Sequence, residues 1–155
     1  MGEKMATFLG IPHISLDSIF WEPGGYNRKR NDVEIGTDLN RIQTSESWLA
    51  EGVFGHLVDS LVPFADALIY IDTPWEECRS NLLNRGSESS RQLDPMKAEE
   101  NFQALLEWAS SYETRDSKAS KKYHDLLFER FSVERHLIRN RDEAHQLLEK
   151  ISANR

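Results

Sequence analysis

Asp17, Glu51 and Asp72 each stand at or just past the end of a short apolar run, in HISLD, WLAE and ALIYID. Carboxylates placed there would emerge at the ends of strands, where open α/β sheets gather their ligands. Asp17 can orient or deprotonate an acceptor hydroxyl, and it can equally cap the turn that follows. Glu51 can hold a water of a nucleotide-bound Mg²⁺, an ion that prefers oxygen ligands and keeps several waters; its other reading is a structural ion pair. Asp72 precedes Thr73 and Pro74, which favours a turn and capping role. Arg85, Arg91 and Arg115 flank a polar stretch and the end of a long helical pattern. A guanidinium fork binds phosphate oxygens bidentately and neutralises them during transfer, and of the three the pattern favours Arg85. His13 and His124 have no metal-ligand spacing. Trp21, Trp48, Trp75 and Trp108 are too scattered for a base-stacking platform and read as core or pocket wall.

Phosphate chemistry of the P-loop kind needs a glycine-rich loop followed by Lys and Ser or Thr. None of the eight glycines is followed by that pair. The nearest imitation, Gly2, Glu3, Lys4 and Met5, lacks the spacing and the hydroxyl.

The chain has 155 residues, the length of one ordinary domain. Acidic residues outnumber basic ones, 26 against 19, for a net charge of −7. That balance argues against nucleic-acid and anionic-membrane surfaces and leaves anionic ligands to local basic sites. Cys78 stands alone, which excludes an internal disulfide and fits a reducing compartment. No apolar stretch reaches the roughly 20 residues of a membrane span, and no basic-then-apolar leader opens the sequence. The expected location is cytoplasmic.

The elements that must position these groups alternate between β-rich and helical patterns, the signature of a parallel sheet with helical crossovers. Strands are expected at IPHISL (11–16), WLAEG (48–52), ALIYID (67–72) and HLIR (136–139). Phe54, Leu57, Val58 and Leu61 have helical spacing, ended by Pro63. Thr73 as cap, Pro74 at the first helical position and Glu76 closing a capping box predict a helix that stops at Arg85 and Gly86. A loop follows over 87–93, then a long helix from Asp94 and Pro95, a break near Asp116 and Ser117, a helix through Tyr123 to Phe131, and a closing helix over 144–151. Residues 22–47 are the least regular; only 37–45 reads as helical, and Arg28, Lys29 and Arg30 form a basic cluster with the character of a solvated loop.

In order and spacing these segments resemble the adenylate-kinase-like P-loop kinases, most closely the topology-modulation and uncharacterised nucleotide-kinase group. HISLDSIFW looks like that group's strand, turn, Asp and aromatic-Trp pair. WLAEG is similar to its second nucleotide motif, with Glu51 in place of Asp. ALIYIDTPWEECRSNLLNRG resembles the next strand and the helix that ends at the lid arginine, here Arg85. Trp108, Tyr112, Arg115 and His124 look like its lid and post-lid helix, and HLIRNRDEA like the last strand and the turn near adenine. The resemblance implies a three-layer α/β/α parallel sheet of the P-loop nucleoside/nucleotide kinase type in one domain over 1–155, with a lid-like region at about 86–120. It implies ATP with Mg²⁺, phosphoryl transfer to a small-molecule acceptor, catalytic Asp17, Glu51, Arg85 and Arg115, metal-holding Glu51, and Arg139 and Arg141 beside the nucleotide.

MGEKMATFLGIP is similar to the later part of the helix after the phosphate loop, so the expectation is a chain missing the family's central first strand. Two parallel pairs should then remain, 11–16 beside 48–52 and 67–72 beside 136–139, separated by a gap of roughly 10 Å, two strand spacings. An unpaired edge of that kind recruits strands, so a protein partner there is the alternative expectation to catalysis. A third is that 95–153 acts as a helical interaction module.

Overall fold

Short β-rich runs separated by helical stretches build parallel pairs with helical crossovers, and the computed structural model, which describes residues 1–24, 26, 28–87 and 94–153, contains two. β1 (His13–Ser15) pairs with β2 (Leu49–Glu51), in a register that sets His13 opposite Leu49 and Ser15 opposite Glu51. β3 (Ala67–Ile71) pairs with β4 (Glu134–Ile138), from Ala67 opposite Glu134 to Ile71 opposite Ile138. These are the two pairings expected from the sequence, and no ladder joins β2 to β3. Among the described residues there are eight α-helices: α1 (Gly2–Leu9), α2 (Leu16–Phe20), α3 (Asp32–Gln43), α4 (Gly55–Leu61), α5 (Trp75–Arg85), α6 (Pro95–Ser110), α7 (Lys121–Arg130) and α8 (Arg141–Ala153).

Several boundaries depart from the sequence reading for local reasons. The first strand ends at Ser15 rather than Asp17, because Leu16 and Ile19, three apart, both turn into the core as the first turns of α2. Asp17 is therefore a first-turn helix residue. Asn31 caps α3 by accepting from the Glu34 amide at 2.9 Å, so the helix begins earlier than the expected 37 and presents Ile35, Leu39 and Ile42 on one buried face. Pro74 occupies the cap position of α5 and Trp75 opens the helix, and no side chain closes the predicted capping box. Pro63 ends α4 as expected but continues into a 3₁₀ turn over Val62–Phe64. Asp94 does cap α6, accepting from the Lys97 amide at 3.0 Å. The loop expected at 87–93, with Arg91, lies largely outside the described residues.

Two members of the basic cluster, Lys29 and Arg30, are neutralised locally. Lys29 pairs with Asp32, and Arg30 reaches Asp38 at 2.7 Å and the Ile19 carbonyl at 3.2 Å, fastening α2 to α3.

Leu16, Ile19, Ile35, Leu39, Ile42, Leu57 and Leu61 form one core around β1, α2, α3 and α4. A second joins Met5 of α1 to Ile138 of β4 and Leu147 of α8, with Leu49 of β2 and Ile69 of β3 packed against it. The cluster thus draws on both sheets, and α1, which packs on β1 and β2, contributes Met5 to it. On α7 and the loop before it, Tyr123 and Lys118 both bond Asp59 of α4. Gly55 sits so close beneath the Lys118 carbonyl that a Cβ there would run into it. Despite apolar sequence, Ile71 is 50% exposed and Val53, just past β2, is 43% exposed. No helix among the described residues is long and apolar enough to cross a membrane.

Candidate functional site

Parallel register decides what meets at the top of the first sheet. Because Ser15 lies opposite Glu51, the first turn of α2 brings Asp17 to the same end as the Glu51 carboxylate. His13 shares a strand face with Ser15, two residues on, and its Nε2 lies 2.9 Å from Glu51 Oε1. The start of α1 closes in from another side, where any side chain on Gly2 would run into the Glu51 carboxylate. Arg85, in the last turn of α5, is an electrostatic neighbour of Asp17.

Three of the expected catalytic residues, Asp17, Glu51 and Arg85, therefore converge from elements far apart in sequence. Asp17 reaches solvent, yet enough protein surrounds it that desolvation holds its carboxyl above the ordinary range; Arg85 pulls it down and the Glu51 charge pushes it up. A guanidinium beside two carboxylates, one of them reluctant to ionise, is an arrangement able to orient a hydroxyl and meet a phosphate. The Glu51 side chain is 45% exposed. Mg²⁺ takes one or two protein carboxylates when phosphates and waters supply its other ligands, and Glu51 beside Asp17 fits that demand. Among the described residues no group of three His, Cys, Asp or Glu converges.

Arg115 joins a different group. Its guanidinium stacks 3.7 Å from the Trp108 ring centre and 5.8 Å from that of Tyr112. Nε and Nη1 are buried without a partner among the described residues, and the same burial pulls its pKa down. Beside it runs a set of polar contacts that sequence reading did not assemble. Tyr112 meets His124 Nδ1 at 2.7 Å and the Tyr70 hydroxyl at 3.2 Å, and Tyr70 donates to Asp125 at 3.0 Å. Lys121 bridges Asp125 at 3.0 Å and Asp72 at 3.1 Å. Asp72, expected in a turn and capping role, takes part in a cross-element ion pair with Lys121. Burial pushes the Tyr70 and Tyr112 hydroxyls up and the His124 imidazole down. The visible signal for part of this was the Lys121 and Asp125 spacing of four on a helix capped by Ser120.

Arg139 and Arg141, expected beside the nucleotide, lie just past β4 and at the start of α8; Arg141 donates to Asn81 of α5 at 3.2 Å. Cys78 is half-buried, and burial raises its thiol pKa, as suits a packing residue. Compared with known proteins, the chain matches no family model, no characterised protein and no solved structure.

Proposed function

We propose that this chain is the body of an ATP-dependent nucleoside or nucleotide kinase of the adenylate-kinase-like type, with a three-layer sheet completed by a strand between β2 and β3. The observation that carries the reading is the convergence of Asp17, Glu51 and Arg85 at the carboxyl ends of one parallel pair. In it Asp17 orients the acceptor hydroxyl, Arg85 and Arg115 bind transferring phosphate oxygens, Glu51 holds a hydrated Mg²⁺, and Arg139 and Arg141 flank the nucleotide. When bound, the ion neutralises charge on the phosphates. The cradle of backbone amides and Lys that a triphosphate requires is not among these 155 residues; a strand carrying such a loop, entering beside α1, would bring it to Glu51. The unjoined sheets support that geometry.

The test compares the chain alone with a form in which a strand and glycine-rich phosphate loop precede Gly2. The chain alone binds Mg·ATP more weakly than micromolar by calorimetry. The completed form binds it and turns it over, and Glu51→Gln and Arg85→Ala each reduce turnover by more than about threefold, roughly 0.7 kcal/mol of barrier. Micromolar Mg²⁺-dependent affinity in the chain alone, or substitutions without effect in the completed form, overturn the assignment.

A second reading is a non-catalytic module that takes a partner's strand between the sheets. The exposed Ile71 and Val53 favour it. A stable complex built on β-strand addition, with no turnover in the completed form, decides for it.

A further inference from the structure

Backbone direction shows what the inner edges of the two sheets offer. In a parallel ladder the N–H and C=O of one residue point to the same side, and successive residues alternate. The Asp66 carbonyl accepts from the Glu134 amide and the Asp72 amide donates to the Ile138 carbonyl, so Asp66, Leu68, Tyr70 and Asp72 face β4. Ala67, Ile69 and Ile71 therefore turn their amides and carbonyls the other way. On β2 the Leu49 amide donates to the Pro12 carbonyl at 2.9 Å, so Leu49 and Glu51 face β1 and Ala50 faces away from it. Among the described residues no hydrogen bond answers the backbone of Ala50, Ala67, Ile69 or Ile71.

These two edges border one another. Leu49 of β2 and Ile69 of β3 pack against the same cluster, Met5, Ile138 and Leu147, so α1 and α8 cover one face. The other face is covered by the helices that Ala50 and Tyr70 meet. Ala50 packs on the core of α2, α3 and α4, Tyr70 donates to Asp125 of α7, and Tyr123 of α7 donates to Asp59 of α4. With helices on both faces, only one layer of extended chain fits along both edges; a second copy presenting its own folded edge brings helices that collide with α1 or α4. The side chains of an extended segment alternate between two covered faces, so both sets must be apolar. Asp66 is exposed just before β3, and the chain carries a net charge of −7, so a basic residue complements the end of the segment that lies there.

We propose that the facing edges of β2 and β3 bind an extended segment of another protein: five residues, the length of β3, apolar on both faces, with a basic residue at the end beside Asp66. The segment pairs with both edges at once, its backbone meeting Ala67, Ile69 and Ile71 on one side and Ala50 on the other. The inference rests on the reading that a strand completes this sheet, and it specifies that strand's chemistry and its arrival as a separate chain. Once bound, the segment joins the two pairs into one sheet and fixes the end of β2, with Glu51, against the end of β3.

Calorimetry of the full chain with the capped peptide Lys-Val-Ile-Val-Ile-Val-Lys measures the affinity, and hydrogen exchange locates it. Binding should protect the amides of Ala50, Ala67, Ile69 and Ile71 and leave unchanged those of His13 and Ser15, which point away from β2. Replacing alternate apolar residues of the peptide by Thr, in either phase, should weaken binding at least about tenfold, since hydroxyls then face a covered layer. N-methylation of alternate peptide amides, in either phase, should weaken it by a similar factor, because each phase serves one edge. Weakening by one phase alone shows pairing with a single edge and overturns the proposal. So do a Thr peptide that binds as well as the parent, the absence of protection, and protection that grows with the concentration of the chain alone, which identifies a second copy as the occupant. The kinase reading is decided separately: a chain that takes the peptide but never turns over Mg·ATP when completed loses that reading alone, and one that turns over but ignores the peptide loses this proposal alone.

Discussion

Around β1 and β2 the chain is held by buried apolar side chains from three elements, α2, α3 and α4, with Leu16 only 1% exposed at the centre. Around β3 and β4 the buried apolar set is Met5, Ile138 and Leu147, and Met5 comes from α1, which also packs on the other sheet. Partly buried Leu9, Ile69, Leu148 and Ile151 pack on that smaller set, and a polar set adds to it: Lys121 between Asp72 and Asp125, and Tyr70 between Tyr112 and Asp125. The contrast separates two ways of holding a parallel pair. Apolar packing is non-directional and fails by leaving cavities; a hydrogen-bonded set is directional and fails by orphaning a partner.

The largest effect should follow from emptying the first core. Leu16→Ala is expected to cost about 3 kcal/mol, since the site is enclosed and cannot collapse. Denaturant midpoints measure it. A loss under about 1 kcal/mol would mean that the β1 half is no better packed than its counterpart.

Next comes the seam between the halves. Gly55→Ala forces a methyl into the Lys118 carbonyl, which is backbone and cannot rotate away, so the link through Asp59 must shift. Overpacking of this kind costs about 2 kcal/mol. If the seam matters to both halves, hydrogen exchange should accelerate in β3 as well as in α4; acceleration confined to α4 would show that each half stands on its own.

Much of this contrast was legible in advance, and its limits are physical. The strands were readable because β-branched and aromatic runs end in turn residues, and their pairing was what the family resemblance implied. β4 begins before its apolar signal, because Glu134 and Arg135, which open it, are exposed. The helix over 32–43 carried its stripe of Ile35, Leu39 and Ile42 in plain view, but Gly36 inside it and the charged run before it masked the pattern. At the site, Asp17, Glu51 and Arg85 were nameable by type and position, whereas Tyr70 was not: its partners Tyr112 and Asp125 are 42 and 55 residues away. A hydroxyl's partner at that distance is set by tertiary packing and leaves no local trace.

A smaller loss is expected from the polar half. Tyr70→Phe removes one hydroxyl while Lys121 still satisfies Asp125, so the cost should be about 1 kcal/mol. A loss matching that of Leu16→Ala would show that the polar set dominates the β3 half more than its exposure suggests.

The smallest effect, and the one that sharpens the contrast most, is the response to acid, because the two halves titrate with opposite sign. In the β3 half, burial first and Arg115 second hold His124 below its ordinary 6.5. As pH falls through 6.5 the unfolded chain takes up a proton that the folded chain refuses, so this group withdraws stability on acidification and returns it as pH rises. In the β1 half, desolvation holds Asp17 above its ordinary 3.8. Between 3.8 and that raised value the folded chain keeps a proton that the unfolded chain has released, so Asp17 adds stability as pH falls and withdraws it at neutrality. His124→Gln should therefore flatten the fall in stability below pH 6.5, and Asp17→Asn should raise stability at neutral pH, as expected of a carboxyl retained for chemistry rather than for folding. Denaturant midpoints for parent and variants, taken from about pH 4 to pH 8, separate the two. If Asp17→Asn destabilised the chain at neutrality, the Arg85 attraction would outweigh the desolvation, and Asp17 would be a structural ion-pair partner instead of a candidate base.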